Sequence, residues 1–387
     1  MIKALPIALA VGLGRQTLRY LWRPRNEPYK NNMKNVNNKN LKTPPYERLV
    51  ISAVFSRLAY KPFAEFRKES IECVKNDPPL LSLVESCFAS DANEITFIDA
   101  SEFHEWQDTQ VYIWIKDRVL YVVFRGSESK EDFLANIDLR RKCAGFGPNI
   151  LVHNGFRRQF EAIEEKMTVY VLTHKGEYDE IYFLGHSLGM ACATISALFY
   201  NQYFKENFDE SEIPIMHCHS FGGPRVGNRD FVDFYQKQEK LFENTWRVVN
   251  YDDPVPRVPI SMRFCHIASH TLFIGEDNKI YQTKKDTHWL LRPLELFVSA
   301  CLFKHVKTHF MEYYIERLRD IVIEIRRSYE SEKPKEIELK TSSLDIILNE
   351  RSNNPNFENS DELVKIASPL LNCETENKNE NNRNHDG

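Results

Sequence analysis

One stretch constrains this chain more than any other: Ile181-Tyr182-Phe183-Leu184-Gly185-His186-Ser187-Leu188-Gly189. Tyr182 to Leu184 is apolar and β-prone, and Met190 to Tyr200 carries small and apolar residues at helical spacing. Between them, Gly-x-Ser-x-Gly must turn the chain from strand to helix within a few residues, with Ser187 at the apex. Gly185 and Gly189 have no side chains, so neighbouring elements can pass close to that apex. The serine hydroxyl is thereby presented at the end of a sheet. The amide of Leu188 opens the helix where an oxyanion would form. Gly-x-Ser-x-Gly alone is common. The flanking strand and helix patterns distinguish a candidate nucleophile from a glycine-flanked turn.

The 387 residues suffice for one large α/β domain with extensions. A net charge of -4 gives no electrostatic case for nucleic acid. The aromatic share of 12% fits a large core before it fits a lipid-facing surface. None of the 8 cysteines forms a C-x-x-C pair, and several sit in apolar runs, which reads as a reduced set. His217-Cys218-His219 looks like metal ligation at first sight. In a strand, however, the two histidines share one face and the cysteine takes the other, and no second cluster completes a site.

Residues 1–26 carry Lys3, Arg15, Arg19, Arg23 and Arg25 around an apolar run, with no acid before Glu27. That run is too short for an ordinary membrane span. A signal-type segment, an organelle presequence and an amphipathic membrane-surface helix all fit it, so localisation stays open among membrane association, secretion and organelle targeting. Residues 27–45 read as a disordered Asn- and Lys-rich linker ending in Pro44-Pro45. The folded domain is expected over 46–330, opening with a helix on Leu49, Ile51, Val54, Phe55 and Leu58. Strands follow at 95–98, 111–115 and 119–124, the last two joined by a hairpin at Asp117-Arg118. Ser127 to Leu139 has the pattern of a short amphipathic segment, either a lid over the serine or a plain surface helix. Val152-His153-Asn154-Gly155-Phe156 precedes a helix running to about Thr173, and His153 is assigned a structural role. Strands are expected at 213–221 and 245–251, and a long helix follows Lys307-Thr308-His309. Residues 331–387 read as a largely disordered tail.

A triad in the order Ser, Asp, His needs an acid after the next strands and a later histidine. Asp252 and Asp253 close the strand at 245–251. His266, His270, His288, His305 and His309 lie downstream; by position His309 leads and His305 follows.

Phe124-Arg125-Gly126-Ser127, His153-Asn154-Gly155-Phe156, Gly185 to Gly189, Phe221-Gly222-Gly223-Pro224-Arg225-Val226-Gly227-Asn228 and Asp253-Pro254-Val255-Pro256-Arg257-Val258-Pro259 occur in this order. As a set they resemble the class 3 lipase family, over roughly residues 46–318. The resemblance implies an α/β-hydrolase fold, a mostly parallel central sheet with helices on both faces. It implies Ser187 as nucleophile, Asp253 as acid, His309 as base, and Ser127 and Leu188 as oxyanion-hole donors. Met190 departs from the family's usual Gly or Ala. The implied activity is hydrolysis of acylglycerol esters through an acyl-enzyme, with no metal or organic cofactor. Phospholipase and soluble-ester carboxylesterase activities are close variants, and a non-catalytic lipid-binding protein is the alternative of another class. The implied partner is a lipid ester, presented at a membrane or lipid-droplet surface.

Overall fold

The computed structural model describes residues 44–61, 75–89, 92–104, 109–126, 140–259, 263–267, 270–275, 280–283 and 307–332. The N-terminal basic segment, most of the linker, the stretch from Ser127 to Leu139, His288, His305 and the C-terminal tail lie outside them.

The strands are β1 (Thr96–Asp99), β2 (Gln110–Lys116), β3 (Val119–Phe124), β4 (Arg141–Cys143), β5 (Leu151–His153), β6 (Glu180–His186), β7 (Ile215–Phe221), β8 (Thr245–Asn250), β9 (His270–Ile274) and β10 (Ile280–Thr283). Eight of them form one sheet in the order β1-β2-β3-β6-β7-β8-β9-β10, while β4 and β5 pair separately. The run from β3 to β9 is parallel, flanked by antiparallel strands at each end. The β2–β3 hairpin turns on Asp117 and Arg118, at φ 49° and 61°. Two successive positive φ angles match the twist that a two-residue hairpin requires. Arg118 is held there by a fork on Asp179, at 2.5 and 2.6 Å.

The helices are α1 (Tyr46–Leu58), α2 (Pro78–Ser86), α3 (Asn154–Thr173), α4 (Leu188–Asn207), α5 (Arg229–Gln236), α6 (Glu239–Glu243) and α7 (Met311–Glu332). Strand alternation decides which helix lies on which face. Tyr121, Tyr182 and His217 stand in one cross-strand row, and Val122, Phe183 and Cys218 in the next. Helix α1 takes the first face. Its Phe55 packs edge-on to Trp114 and Tyr121 at 5.0 and 5.4 Å, Arg48 lies over the Tyr182 ring, and Ser52 bonds His219. Helix α4 takes the second, where Tyr200 stacks on Phe183 and Thr194 touches Cys218. Helices on both faces of a mostly parallel sheet, with the sharp β6–α4 turn at its middle, make the α/β-hydrolase fold. Much of the aromatic content is core: Trp114, Tyr121, Phe55, Phe183 and Tyr200 are all buried.

His217 and His219 share a face and Cys218 opposes them, as the alternation requires. Among the described residues no group of His, Cys, Asp and Glu could hold a metal ion. Cys87, Cys143, Cys192, Cys218 and Cys265 are free thiols. No described helix is long and apolar enough to cross a membrane. Contacts divide the chain into units 1–324 and 325–387; the described part of the second is the end of α7.

The parallel strands β3, β6, β7 and β8 all end at one edge of the sheet, at Phe124, His186, Phe221 and Asn250. The chain segments that follow each of them converge there. Helix α4 can start that close to β3 because residue 189 is glycine: a Cβ would run into Phe124 O and lie 2.9 Å from Arg125 O. Those atoms are backbone and cannot swing away. Gly189→Ala is expected to cost about 2 kcal/mol or more, read as a lower urea midpoint with an unchanged m-value. A midpoint equal to the parent's would contradict this close approach.

Candidate active site

Ser187 sits between β6 and α4 at φ 58°, ψ -125°. A non-glycine residue in that region is strained by roughly 1–3 kcal/mol and persists only when its surroundings fix it. Three features fix it. The Ser187 amide donates to Phe221 O of β7 at 3.0 Å. Gly185 lets the first turn of α4 fold back over β6, since a Cβ would lie 2.6 Å from Met190 N. The core holds both flanking elements, with Phe183, Leu184, Ala191 and Ala193 fully buried. Leu188 is the first residue of α4, so its amide has no partner within the helix.

At the end of β8 the chain makes the turn that carries Asp253. This carboxylate is 1% exposed, so its charge must be met by donors. Its Oδ1 accepts from the Val255 amide at 2.8 Å. Its Oδ2 pairs with His309 Nδ1 at 2.7 Å and accepts from the Tyr314 hydroxyl at 2.6 Å. The Tyr314 oxygen in turn accepts from the Asn250 amide at 3.1 Å. Burial, and then the adjacent Asp253 charge, push the Tyr314 phenol well above its ordinary pKa. Arg257 holds the turn itself, donating to Asp253 O and Tyr251 O at 2.6 Å each. Arg225 does the same for the next loop, donating to Arg257 O and Pro259 O.

His309 lies in a single 3-10 turn, residues 307–309, just ahead of α7. The Asn250 amide group donates to Thr308 O at 2.9 Å, tying that turn to the end of β8. With Nδ1 donating to Asp253, Nε2 is the ring nitrogen left for other partners. Nε2 is buried, and among the described residues it has no hydrogen-bond partner. No hydrogen bond joins it to the Ser187 hydroxyl in this structure. The two residues are neighbours through His186, whose ring centroid lies 4.4 Å from that of His309.

The structure thus brings Asp253 and His309 together near Ser187, and places Asp252, His266 and His270 elsewhere; His288 and His305 lie outside the described residues. Asp252 faces Arg317 at 3.4 Å. His266 bonds Pro256 O, and His270 stacks on Trp246 and meets Glu243. His153 caps α3 by accepting from the Gly155 amide, a structural role. Ser127 falls outside the described residues; Gly126, just before it, is described. Met190 packs against Gly223, whose Cβ would lie 2.7 Å from its sulfur.

Sequence reasoning passed over Gly222 and Tyr314. Gly222 has φ 57°, and a Cβ on it would lie 2.7 Å from Asp253 Oδ2, 2.8 Å from the Tyr314 hydroxyl and 3.1 Å from His309 Nδ1. The His–Asp pair has room only because no side chain is there. Tyr314 carried a readable signal. It falls on the buried face of α7 with Met311, Ile315, Leu318 and Val322, so its hydroxyl had to find a partner.

The sequence profile of the family "Lipase (class 3)" matches residues 121–262. This chain is thus similar to the class 3 lipases over that segment. The matched segment contains Ser187 and Asp253 and ends before His309. A secreted mono- and diacylglycerol lipase of Fusarium solani is 30% identical over 142 residues, 36% of this chain and 39% of that protein. A chloroplastic phospholipase A(1) of Arabidopsis thaliana is 28% identical over 171 residues, 40% of this chain and 36% of that protein. A crystal structure of a mono- and diacylglycerol lipase from Aspergillus oryzae aligns with a TM-score of 0.44 at 22% identity, covering 62% of this chain and 87% of that one. The alignments thus take in well under half the length of the Fusarium and Arabidopsis proteins.

Deleting the Tyr314 hydroxyl removes one donor from a buried carboxylate. Tyr314→Phe should therefore cost about 1.5–3 kcal/mol, against less than about 0.5 for the partly exposed Tyr313→Phe. The raised pKa also fixes a sign. The folded chain holds this phenolic proton more tightly than the unfolded chain, whose tyrosines titrate near pH 10. The stabilisation is fully present below about pH 10 and is lost as pH rises above it. In an alkaline titration followed by phenolate absorbance, Tyr314 should stay protonated until the chain unfolds. Early ionisation of this phenol in the native chain would contradict the site's geometry.

Proposed function

We propose that this chain is a serine carboxylic-ester hydrolase acting on acylglycerols, with Ser187 as nucleophile, His309 as general base and Asp253 as its orienting acid. The observation that carries this reading is the buried His309–Asp253 pair set beside a strained serine at a strand–helix turn. The match of residues 121–262 to the class 3 lipase profile supports it independently.

The chemistry follows from the proton positions. Asp253 Oδ2 holds Nδ1–H, so Nε2 is free to take the Ser187 proton as the hydroxyl oxygen attacks an ester carbonyl carbon. The Asp253 carboxylate then stabilises the imidazolium. The oxyanion accepts from the Leu188 amide and from the amide of Ser127, each contributing a few kcal/mol at the transition state. Nε2 next delivers its proton to the leaving alcohol, which departs as the acyl-enzyme forms. Water, deprotonated by the same nitrogen, releases the fatty acid and restores Ser187. Catalytic hydrogen bonds are often loose before substrate arrives, so the unpartnered Nε2 suits a resting site.

Ser187 is 1% exposed and His309 is fully buried, so the reacting groups are shielded from bulk water. Phe310 and Tyr313, directly after the base, are 39% and 37% exposed and offer an apolar surface beside it. The Fusarium relative's name points to mono- and diacylglycerols, and the Arabidopsis relative's name favours phospholipid as a second reading.

A fluorophosphonate probe should label the purified chain, and Ser187→Ala should abolish both label and ester hydrolysis, a loss of at least about 10³-fold. Asp253→Asn should lower kcat by about 10²–10⁴-fold with little change in KM. Turnover of diacylglycerol but not phosphatidylcholine supports the first reading, and the reverse supports the second. Labelling that survives Ser187→Ala, or a folded parent that neither labels nor hydrolyses any ester even with detergent micelles, sinks the proposal in favour of lipid binding without catalysis.

A further inference from the structure

His186 precedes the nucleophile, and nothing in the triad uses it. It is fully buried, and both its ring nitrogens are engaged. Nε2 lies 2.7 Å from the main-chain oxygen of His309. A carbonyl only accepts, so Nε2 carries a proton. Burial disfavours the charged ring, which leaves Nδ1 as an acceptor. It lies 2.7 Å from the Tyr60 hydroxyl, which therefore donates to it. The Tyr60 oxygen accepts in turn from the amide of Gly126. Gly126 is glycine for this reason: a Cβ would run into the Tyr60 hydroxyl and lie 2.7 Å from His186 O. Every donor in this string has one direction, from Gly126 N–H to Tyr60 to His186 to His309 C=O.

Its two ends matter. Gly126 is the residue before the candidate oxyanion donor Ser127, and His309 is the base. Beside the Asn250 bond to Thr308 and the Asp253 pairing with His309, the His186 bond to His309 O ties the 307–309 turn to the end of β6. We propose that His186, with Tyr60, is a positioning residue that holds the chain end of β3 at Gly126 and the base in one register with Ser187. The proposal rests on the hydrolase reading above and adds two residues outside the triad to it.

The test uses the full chain, an ester substrate and the fluorophosphonate probe. Tyr60→Phe deletes one oxygen, and should lower kcat and the labelling rate about tenfold with KM within about twofold in a chain that still folds. His186→Phe keeps a ring but loses both bonds, and should lower kcat about 100-fold. His186→Gln can place an N–H near the Nε2 position, and should recover part of that loss. If the string acts as a unit, Tyr60→Phe should add nothing to His186→Phe in the double variant. Parent-like kcat in folded Tyr60→Phe, additive losses, or no advantage of Gln over Phe would each overturn the relay while leaving the hydrolase reading intact. Should His186→Phe not fold, Tyr60→Phe decides alone. A parent that neither labels nor hydrolyses overturns both proposals, because the base being positioned would then do no work.

Discussion

A carboxylate shut away from water has to be surrounded by donors, and the architecture at the sheet edge is arranged around that demand. Leaving Asp253 unpaired would cost several kcal/mol, whereas each hydrogen bond to a charge returns about 1.5–3. Three donors meet it: the Val255 amide, His309 Nδ1 and the Tyr314 hydroxyl. They come from its own turn, the 307–309 turn and α7, so one buried charge draws separate segments together. The arginines of the neighbouring loops satisfy carbonyls that have no strand partner, and they fix where the charge sits. Gly222 completes the arrangement by leaving space that any side chain would fill.

Strain at Ser187 is the complementary half. The parallel strands on either side and the packing of α4 against β3 leave the turn no relaxed alternative, so the cost of its positive φ is met by the core. An orienting pair held by charge and a serine held by packing reach the same edge of the sheet by independent means. His186 stands between them: its backbone leads into the nucleophile, and its ring reaches the carbonyl of the base.

What the sequence discloses follows from how local each constraint is. Ser187 was legible because its turn is written in five consecutive residues and in the strand and helix periodicities around them. The hairpin at Asp117-Arg118 and the two faces of the sheet were legible for the same reason. Asp252 and Asp253 are adjacent and chemically alike, and no local pattern separates them. Burial does, by placing one beneath His309 and the other against Arg317. Five candidate histidines lie between residues 266 and 309, and choosing among them requires a contact across 56 residues. Tyr60 is further still, 126 residues from the histidine it contacts. Such partners are set by tertiary packing, and only the helical phase of Tyr314 left a trace in the sequence. Position at the head of the last helix and family resemblance both favour His309, and its pairing with Asp253 is a physical observation in support.

The central claim is that a preassembled His309–Asp253 pair serves Ser187. The most direct measurement is a crystal structure of the full chain after reaction with an alkyl phosphonate. The account predicts phosphorus bonded to Ser187 Oγ and one phosphonyl oxygen about 3 Å from the Leu188 amide. It also predicts His309 Nε2 hydrogen-bonded at the adduct, with the Nδ1–Asp253 pairing unmoved. An adduct on another residue, or a His309 turned away from Asp253 and the phosphorus, would contradict it.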